Sequence, residues 1–183
     1  MRPLLVIDFQ PAYAKCFGSW MTREVLALMR GMSPAEPIVV VSVNEELSGD
    51  DATSIQEFWI EQGMDEELME RVTFLEKPYA FFRSWMDQGV EDHEIVAVAQ
   101  KLRQIGIGDS RELDSEVLAE LSQAGADLGH DALFLPWEME RNPCYQRPAW
   151  NICGGGRDEC LKEVELWLQS CSIEAHRIEH LIY

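Results

Sequence analysis

Pro3-Leu4-Leu5-Val6-Ile7-Asp8 is the stretch that decides the fold. Four consecutive apolar residues, two of them β-branched, leave no position that would face water, so the segment reads as a strand buried on both faces and ending at Asp8. Pro37-Ile-Val-Val-Val-Ser-Val43 repeats the pattern more strongly. Between them, Met21, Val25, Leu28 and Met29 recur at helical spacing across Trp20 to Met32, closed by Gly31 and Pro34. A strand, a helix and a second buried strand imply a right-handed crossover between parallel neighbours.

The same grammar continues downstream. Asp51 to Gly63 is expected to be a helix with Ile55, Phe58 and Trp59 inward, and Arg71-Val-Thr-Phe-Leu-Glu76 a third strand. Asp65-Glu66-Glu67-Leu-Met-Glu70 reads as a solvated helix face, and Phe81 to Asp87, dense in aromatics beside Arg83, as helix core, with the lining of a planar-substrate pocket as its functional alternative. Helices are expected over Asp92 to Ile105, Glu112 to Gln123 and Asp158 to Cys171, from apolar residues at 3.6-residue spacing. Asp109 or Ser110 would cap the second of these, with Arg111 free to reach a crevice as the functional alternative. Asp131-Ala-Leu-Phe-Leu135 reads as a fourth strand, Ala149 to Cys153 as a fifth, and the alternating Ile173 to Tyr183 as a closing strand. The expected architecture is a doubly wound, Rossmann-like parallel α/β sheet with helices on both faces, in a single domain spanning residues 1–183.

Composition narrows the partners. A formal charge of −18 argues against nucleic acid, whose affinity comes largely from Lys and Arg displacing counterions, and against anionic membranes. The apolar run before Asp8 is too short for a signal peptide, and no stretch approaches membrane-spanning length, so a cytoplasmic protein is expected. The 5 cysteines (Cys16, Cys144, Cys153, Cys160, Cys171) are an odd, scattered set that implies neither a disulfide framework nor a zinc site. His176 and His180 would share one face of the closing strand, an unpromising metal pair.

In an open parallel sheet, ligands bind outside the carboxyl ends of the strands, at the point where strand order reverses. Asp8 follows the first strand, Lys77 follows the third, and Cys160 opens a helix after Gly154-Gly155-Gly156-Arg157. An acid/base, a cation and a sulfur nucleophile are the parts of acyl transfer through a thioester. The helix dipole would lower the thiol pKa. Each residue also has a plain structural reading: an Asx turn, a solvated lysine and a packed cysteine.

Leu-Leu-Val-Ile-Asp8-Phe9-Gln10, Lys77-Pro-Tyr79-Ala-Phe81-Phe82 and the Gly154-to-Cys160 spacing together resemble the isochorismatase-like cysteine hydrolases, among them nicotinamidases and N-carbamoylsarcosine amidohydrolases. The resemblance implies that Asp8 deprotonates the Cys160 thiol, that Lys77 holds the thiolate, and that backbone N–H groups before Cys160 form an oxyanion hole. By the same resemblance the Gly155–Gly156 bond would be cis, and Gln10, Gly155 and Gly156 would contact a small-molecule substrate. Phe82 in the aromatic run and Arg157 inside the glycine turn are further candidate contacts from the residues themselves, with a surface pair to Asp158 or Glu159 as the plain reading of Arg157. No cofactor is implied, and a homo-oligomer is in keeping with the family. Metal-dependent nicotinamidases carry histidines after the second strand, where this chain reads Asn44-Glu45-Glu46-Leu-Ser-Gly-Asp50, so no metal is expected. Residues 84–148 have no counterpart in the matched blocks.

Two other readings stand beside this one. Asp8, Glu45, Glu46, Asp109 and Glu159 or Glu163 could hold Mg²⁺ or Mn²⁺ for phosphoryl transfer. A non-catalytic Rossmann-like binding protein could instead use the 6 tryptophans as partner surface. A cysteine hydrolase is expected to alkylate selectively at Cys160 and to lose that reactivity when Lys77 or Asp8 is replaced.

Overall fold

The computed structural model describes residues 2–43, 45–78, 80–125, 127–128 and 132–183. Its sheet is entirely parallel, in the order β3-β2-β1-β4-β5, with β1 at Leu4–Ile7, β2 at Ile38–Val43, β3 at Val72–Lys77, β4 at Ala149–Gly154 and β5 at Glu174–Arg177. The central strand β1 is buried at every position, as its unbroken apolar run requires. Ile7 lies opposite Val41 on one side and Gly154 on the other. The chain first winds outward from β1 to β3 and then returns to the other side at β4, so the switch point falls between the ends of β1 and β4.

Alternation along β1 builds two cores. Leu5 and Ile7 join one, with residues of α6 (Asp92–Ile105) and α9 (Cys160–Ser170). Leu4 and Val6 join the other, with α1 (Ser19–Arg30), α3 (Ala52–Glu61) and α4 (Glu66–Arg71). The remaining helices are short: α2 (Glu45–Ser48), α5 (Arg83–Asp87), α7 (Ser115–Leu121) and α8 (Trp137–Glu140). This is the doubly wound α/β arrangement expected from the sequence. Among the described residues, no helix is long and apolar enough to cross a membrane.

Several elements fall differently from their sequence pattern. The expected fourth strand is absent from the sheet: Asp131 lies outside the described residues, and the stretch after it makes only an isolated antiparallel bridge, Phe134 with Asp109. The N–H groups of Leu133, Phe134 and Leu135 donate instead to Ser110 Oγ, the Phe81 carbonyl and the Gly108 carbonyl. Leu133 is nonetheless fully buried, so the apolar run met its need for burial without a ladder. The closing strand stops at Arg177, and a 3-10 turn over Glu179–Leu181 follows, which separates His176 in β5 from His180 in the turn. The expected helix from Glu112 shortens to α7, because Asp109 caps a separate 3-10 turn at Ser110–Glu112.

The acidic run after Asp65 is α4, with Asp65 accepting from the Leu68 N–H as N-cap and Leu68 buried beneath the solvated face. Phe81, Phe82 and Trp85 are at most 1 % exposed and belong to the α6–α9 core.

Candidate active site

The end of β1 turns sharply. Asp8 takes φ 57°, one of two non-glycine residues with positive φ among those described, and Asp tolerates that left-handed region better than most. Its backbone is pinned on both sides: its N–H donates to the Val41 carbonyl at 2.8 Å, and its carbonyl accepts from Tyr183 Oη at 2.8 Å. The turn aims a carboxylate that is 1 % exposed at the crevice beside β4. Strained backbone of this kind concentrates at functional sites.

Lys77 comes from two strands away. It is two residues beyond Leu75, which aligns through Val41 with Ile7, so its stem passes the end of β2 to bring Nζ within 3.3 Å of Asp8 Oδ2. Both side chains are at most 1 % exposed. The contact is a close ion pair without an aligned hydrogen bond, and both carboxylate oxygens and Nζ lack a hydrogen-bond partner. Burial works against the ammonium, but Asp8, Cys160 and Glu163 around it outweigh burial and hold its pKa above the usual lysine range.

On the opposite wall, Gly154 and Gly155 take φ values of 79° and 64°, and the chain then enters α9 at Cys160. A β-carbon on Gly154 would lie 2.2 Å from the Ile7 carbonyl oxygen. Only glycine lets β4 end this close against β1, and Asp8 and Cys160 line one cavity at that seam. The N–H groups of Asp158 and Cys160 have no backbone acceptor, as befits the entry to a helix. The Gly155–Gly156 bond is trans, not the cis bond implied by the resemblance.

The thiol departs from expectation. Burial, then the neighbouring Asp8 charge, push Cys160 from 9.0 up to about 12, against the pull of Lys77 and Arg83. The helix dipole does not dominate, so the resting group is a neutral thiol beside a carboxylate. Removing the Asp8 charge is therefore expected to ease ionisation of the thiol and removing Lys77 to hinder it, where the sequence alone led us to expect slower alkylation from either change.

A cavity of about 520 Å³ opens above these groups, lined among others by Asp8, Cys160, Gly156, Arg157, Tyr13 and Tyr183. Arg157 lies on its wall but is paired with Glu179 at 2.5 Å. Gln10, Phe82 and Gly155 do not line it. Gln10 is fully buried and ties the end of β2 to the following loop: its Oε1 accepts from the Val43 N–H at 2.8 Å, and its Nε2 donates to Asp50 at 3.0 Å. Phe82 packs edge-on against Phe81 in the core, so neither Gln10 nor Phe82 has the place beside the cavity that the sequence led us to expect.

Two residues whose sequence context suggested a different part, or only a passing one, border the site. Arg83, at the start of α5, places Nη2 3.5 Å from Cys160 Sγ and Nη1 3.6 Å from Glu159 Oε2. Glu163, one turn into α9 and fully buried, accepts the N–H groups of Phe81, Phe82 and Arg83 at 2.6, 2.6 and 2.9 Å, all on Oε1. Burial pushes its pKa up. It thus holds the turn that carries Arg83, a role that 80 residues of separation conceal in the sequence.

Replacing Glu163 by Ala would strand three buried donors and is expected to cost about 3 kcal/mol or more, whereas Gln keeps the acceptor and most of the stability. Chemical denaturation of the two variants checks the difference.

The folded-state pKa values also set an alkaline limit. Cys160 and Lys77 both titrate higher in the folded chain than their ordinary 9.0 and 10.5. The Cys160 contribution to stability is therefore complete below pH 9.0 and lost as pH climbs toward about 12, and the Lys77 contribution is complete below 10.5 and lost above it. Denaturation midpoints are expected to hold level up to pH 9.0 and fall above it, with a shallower fall in Lys77→Met.

Among the described residues, the carboxylates of the metal reading form no ion-holding group. Asp109 is engaged two-pronged by Arg111, Glu163 by backbone amides, and no three His, Cys, Asp or Glu residues among those described are grouped to hold an ion. Arg111 lies over Phe134, away from the cavity above Cys160. No protein-family model, no curated protein and no solved structure matches this chain.

Proposed function

We propose that this chain is a cysteine hydrolase of the isochorismatase-like type, cleaving an amide or related acyl bond of a small molecule through a thioester on Cys160. The observation that carries the reading is the meeting of Asp8, Lys77 and the Cys160 thiol beneath one cavity at the sheet's switch point. Three residues spread over the chain have no packing reason to bury an ion pair beside a thiol, and a buried pair is a weak source of stability.

Asp8 takes the thiol proton as Sγ attacks the acyl carbon. Lys77 and Arg83 favour the thiolate that forms, and backbone N–H groups at the entry to α9, those of Asp158 and Cys160 among them, would receive the oxyanion. Collapse of the tetrahedral adduct breaks the bond to the leaving group, which departs with the proton from Asp8. A water then gives its proton to Asp8 and attacks the thioester, and the acid product leaves as the thiol is restored. The neutral resting thiol suits this cycle, because the base is used at the moment of attack.

p-Nitrophenyl acetate tests the reading as a generic acyl donor. A burst of nitrophenolate with an acetyl group on the Cys160 peptide is expected, and Cys160→Ala should remove both. A burst that survives in Cys160→Ala, or acetyl found only on Cys16 or Cys144, would sink the proposal.

A further inference from the structure

The arginines of this chain differ in how they are satisfied. Arg103 grips Glu140, Arg111 grips Asp109 and Arg177 grips Glu165, each with Nε and Nη2 on one carboxylate and with both of its oxygens engaged. With 33 acidic residues against 15 basic ones, carboxylate partners are abundant. Arg83 has no such partner. Its Nη2 donates to a thiol sulfur, a weak acceptor, and its Nη1 makes only a 3.6 Å contact with Glu159, whose side chain is 68 % exposed. Its Nε is buried and has no hydrogen-bond partner.

The position of this fork is held rather than left to drift. Glu163 fixes the Arg83 backbone from below, and the Arg83 side chain is only 16 % exposed on the wall of the cavity above Cys160. A guanidinium is a planar fork that matches a carboxylate through two parallel hydrogen bonds, and such a pair gains strength where water is partly excluded.

We infer that Arg83 is the carboxylate-recognition residue of this site, so that the substrate is a small acyl compound bearing a carboxylate close to the scissile carbonyl. A monoanion fits better than a phosphate dianion, because Asp8, Asp158 and Glu159 also border the cavity and would repel a second charge. Glu159, the acid that touches the fork among the described residues, would be displaced into solvent, where its exposed side chain already lies. The bound carboxylate sets the substrate's orientation, and the acyl carbon then lies within reach of Sγ. The inference rests on the cysteine-hydrolase reading and adds the charge of the substrate to it.

Iodoacetate and iodoacetamide form a pair of probes of nearly equal size that differ in charge. Each alkylates a thiolate by forming an S–C bond and expelling iodide, with the thiol proton passing to Asp8 or water. Rates at Cys160 are read by peptide mass spectrometry at near-physiological ionic strength, and the iodoacetate-to-iodoacetamide ratio is compared with that of 2-mercaptoethanol. Recognition by Arg83 is expected to raise the ratio at Cys160 about tenfold or more above the reference, from the strength of a charge-assisted pair. The overall charge of −18 works in the opposite direction, so long-range attraction cannot produce the excess.

Arg83→Gln should return the ratio to or below the reference, and Arg83→Lys, which keeps the charge but loses the fork, should fall between. A wild-type ratio at or below the reference, or one that Arg83→Gln leaves unchanged, overturns the inference while leaving the hydrolase reading intact. Failure of both reagents to label Cys160 overturns the two together.

Discussion

Replacing Asp8 with Asn is expected to divide two activities that usually fall together. Alkylation of Cys160 by the neutral reagent iodoacetamide should speed up, while steady-state hydrolysis of p-nitrophenyl acetate should drop by about two to four orders of magnitude, the usual range for losing a general base. The first effect follows from charge. Asp8 is second only to burial in pushing the thiol up to about 12, and Asn removes that charge while Lys77 and Arg83 continue to favour the thiolate. More thiolate at a given pH means faster alkylation, partly offset by its lower intrinsic nucleophilicity.

The second effect follows from proton traffic: attack on an acyl carbon and the later attack by water both need an acceptor that Asn cannot supply. Lys77→Met should slow alkylation instead, because a cation that favours the thiolate is gone. The backbone tolerates the Asn variant, since Asn accepts the φ 57° that Asp8 adopts. The cost lies with Lys77, left buried without a counter-charge, for which about 3–5 kcal/mol is typical. Asp8→Asn combined with Lys77→Met relieves that cost and separates lost stability from lost chemistry. Slower alkylation in Asp8→Asn would contradict the assigned role of the Asp8 charge.

The largest loss of stability is expected at Gly154. An alanine there would need a β-carbon 2.2 Å from the Ile7 carbonyl oxygen and 2.7 Å from the Phe9 ring, on a residue whose φ is 79°. The oxygen belongs to the central strand, which is buried on both faces and paired on both edges, so it cannot withdraw without disturbing the sheet. Phe9 is equally confined, packed against Phe17, Trp59 and Tyr183. Overpacking and backbone strain act together, and a loss of about 4 kcal/mol or more is expected.

Gly106→Ala isolates the backbone part. Its φ is 77°, nearly the same, but nothing lies within 4 Å of the added carbon. About 1–2 kcal/mol is expected there. Equal losses at the two positions in urea denaturation would remove the steric argument, and with it the account of why β4 can end so close to β1.

The sheet was legible in the chain because burial on both faces leaves a signature that few other structures share. Two runs near the N-terminus, Leu4 to Ile7 and Ile38 to Val43, need no partner to be recognised, and α6 matches its expected bounds at Asp92 and Ile105. The residues 132–135 misled for the same reason that β1 did not: an apolar run reports a need for burial, and Leu133 satisfies that need under a loop whose N–H groups bond to other loops. His176 lies in β5 as expected, but His180 was placed on the same strand face because the alternation of the last residues continues past the end of β5 at Arg177.

By itself, then, the order of residues determined a parallel α/β sheet, the identity of the groups at its strand ends, and the glycines that let two strands end side by side. These are local matters, read from periodicity and from what a missing side chain permits. Tertiary structure alone decided that Lys77 crosses the end of β2 to reach Asp8, that Glu163 turns inward to hold the Arg83 turn, and that the thiol rests neutral. The physical reason is that electrostatics depends on distance and burial in space: a glutamate on a helix and an arginine after two phenylalanines look solvated until the fold removes the water between them.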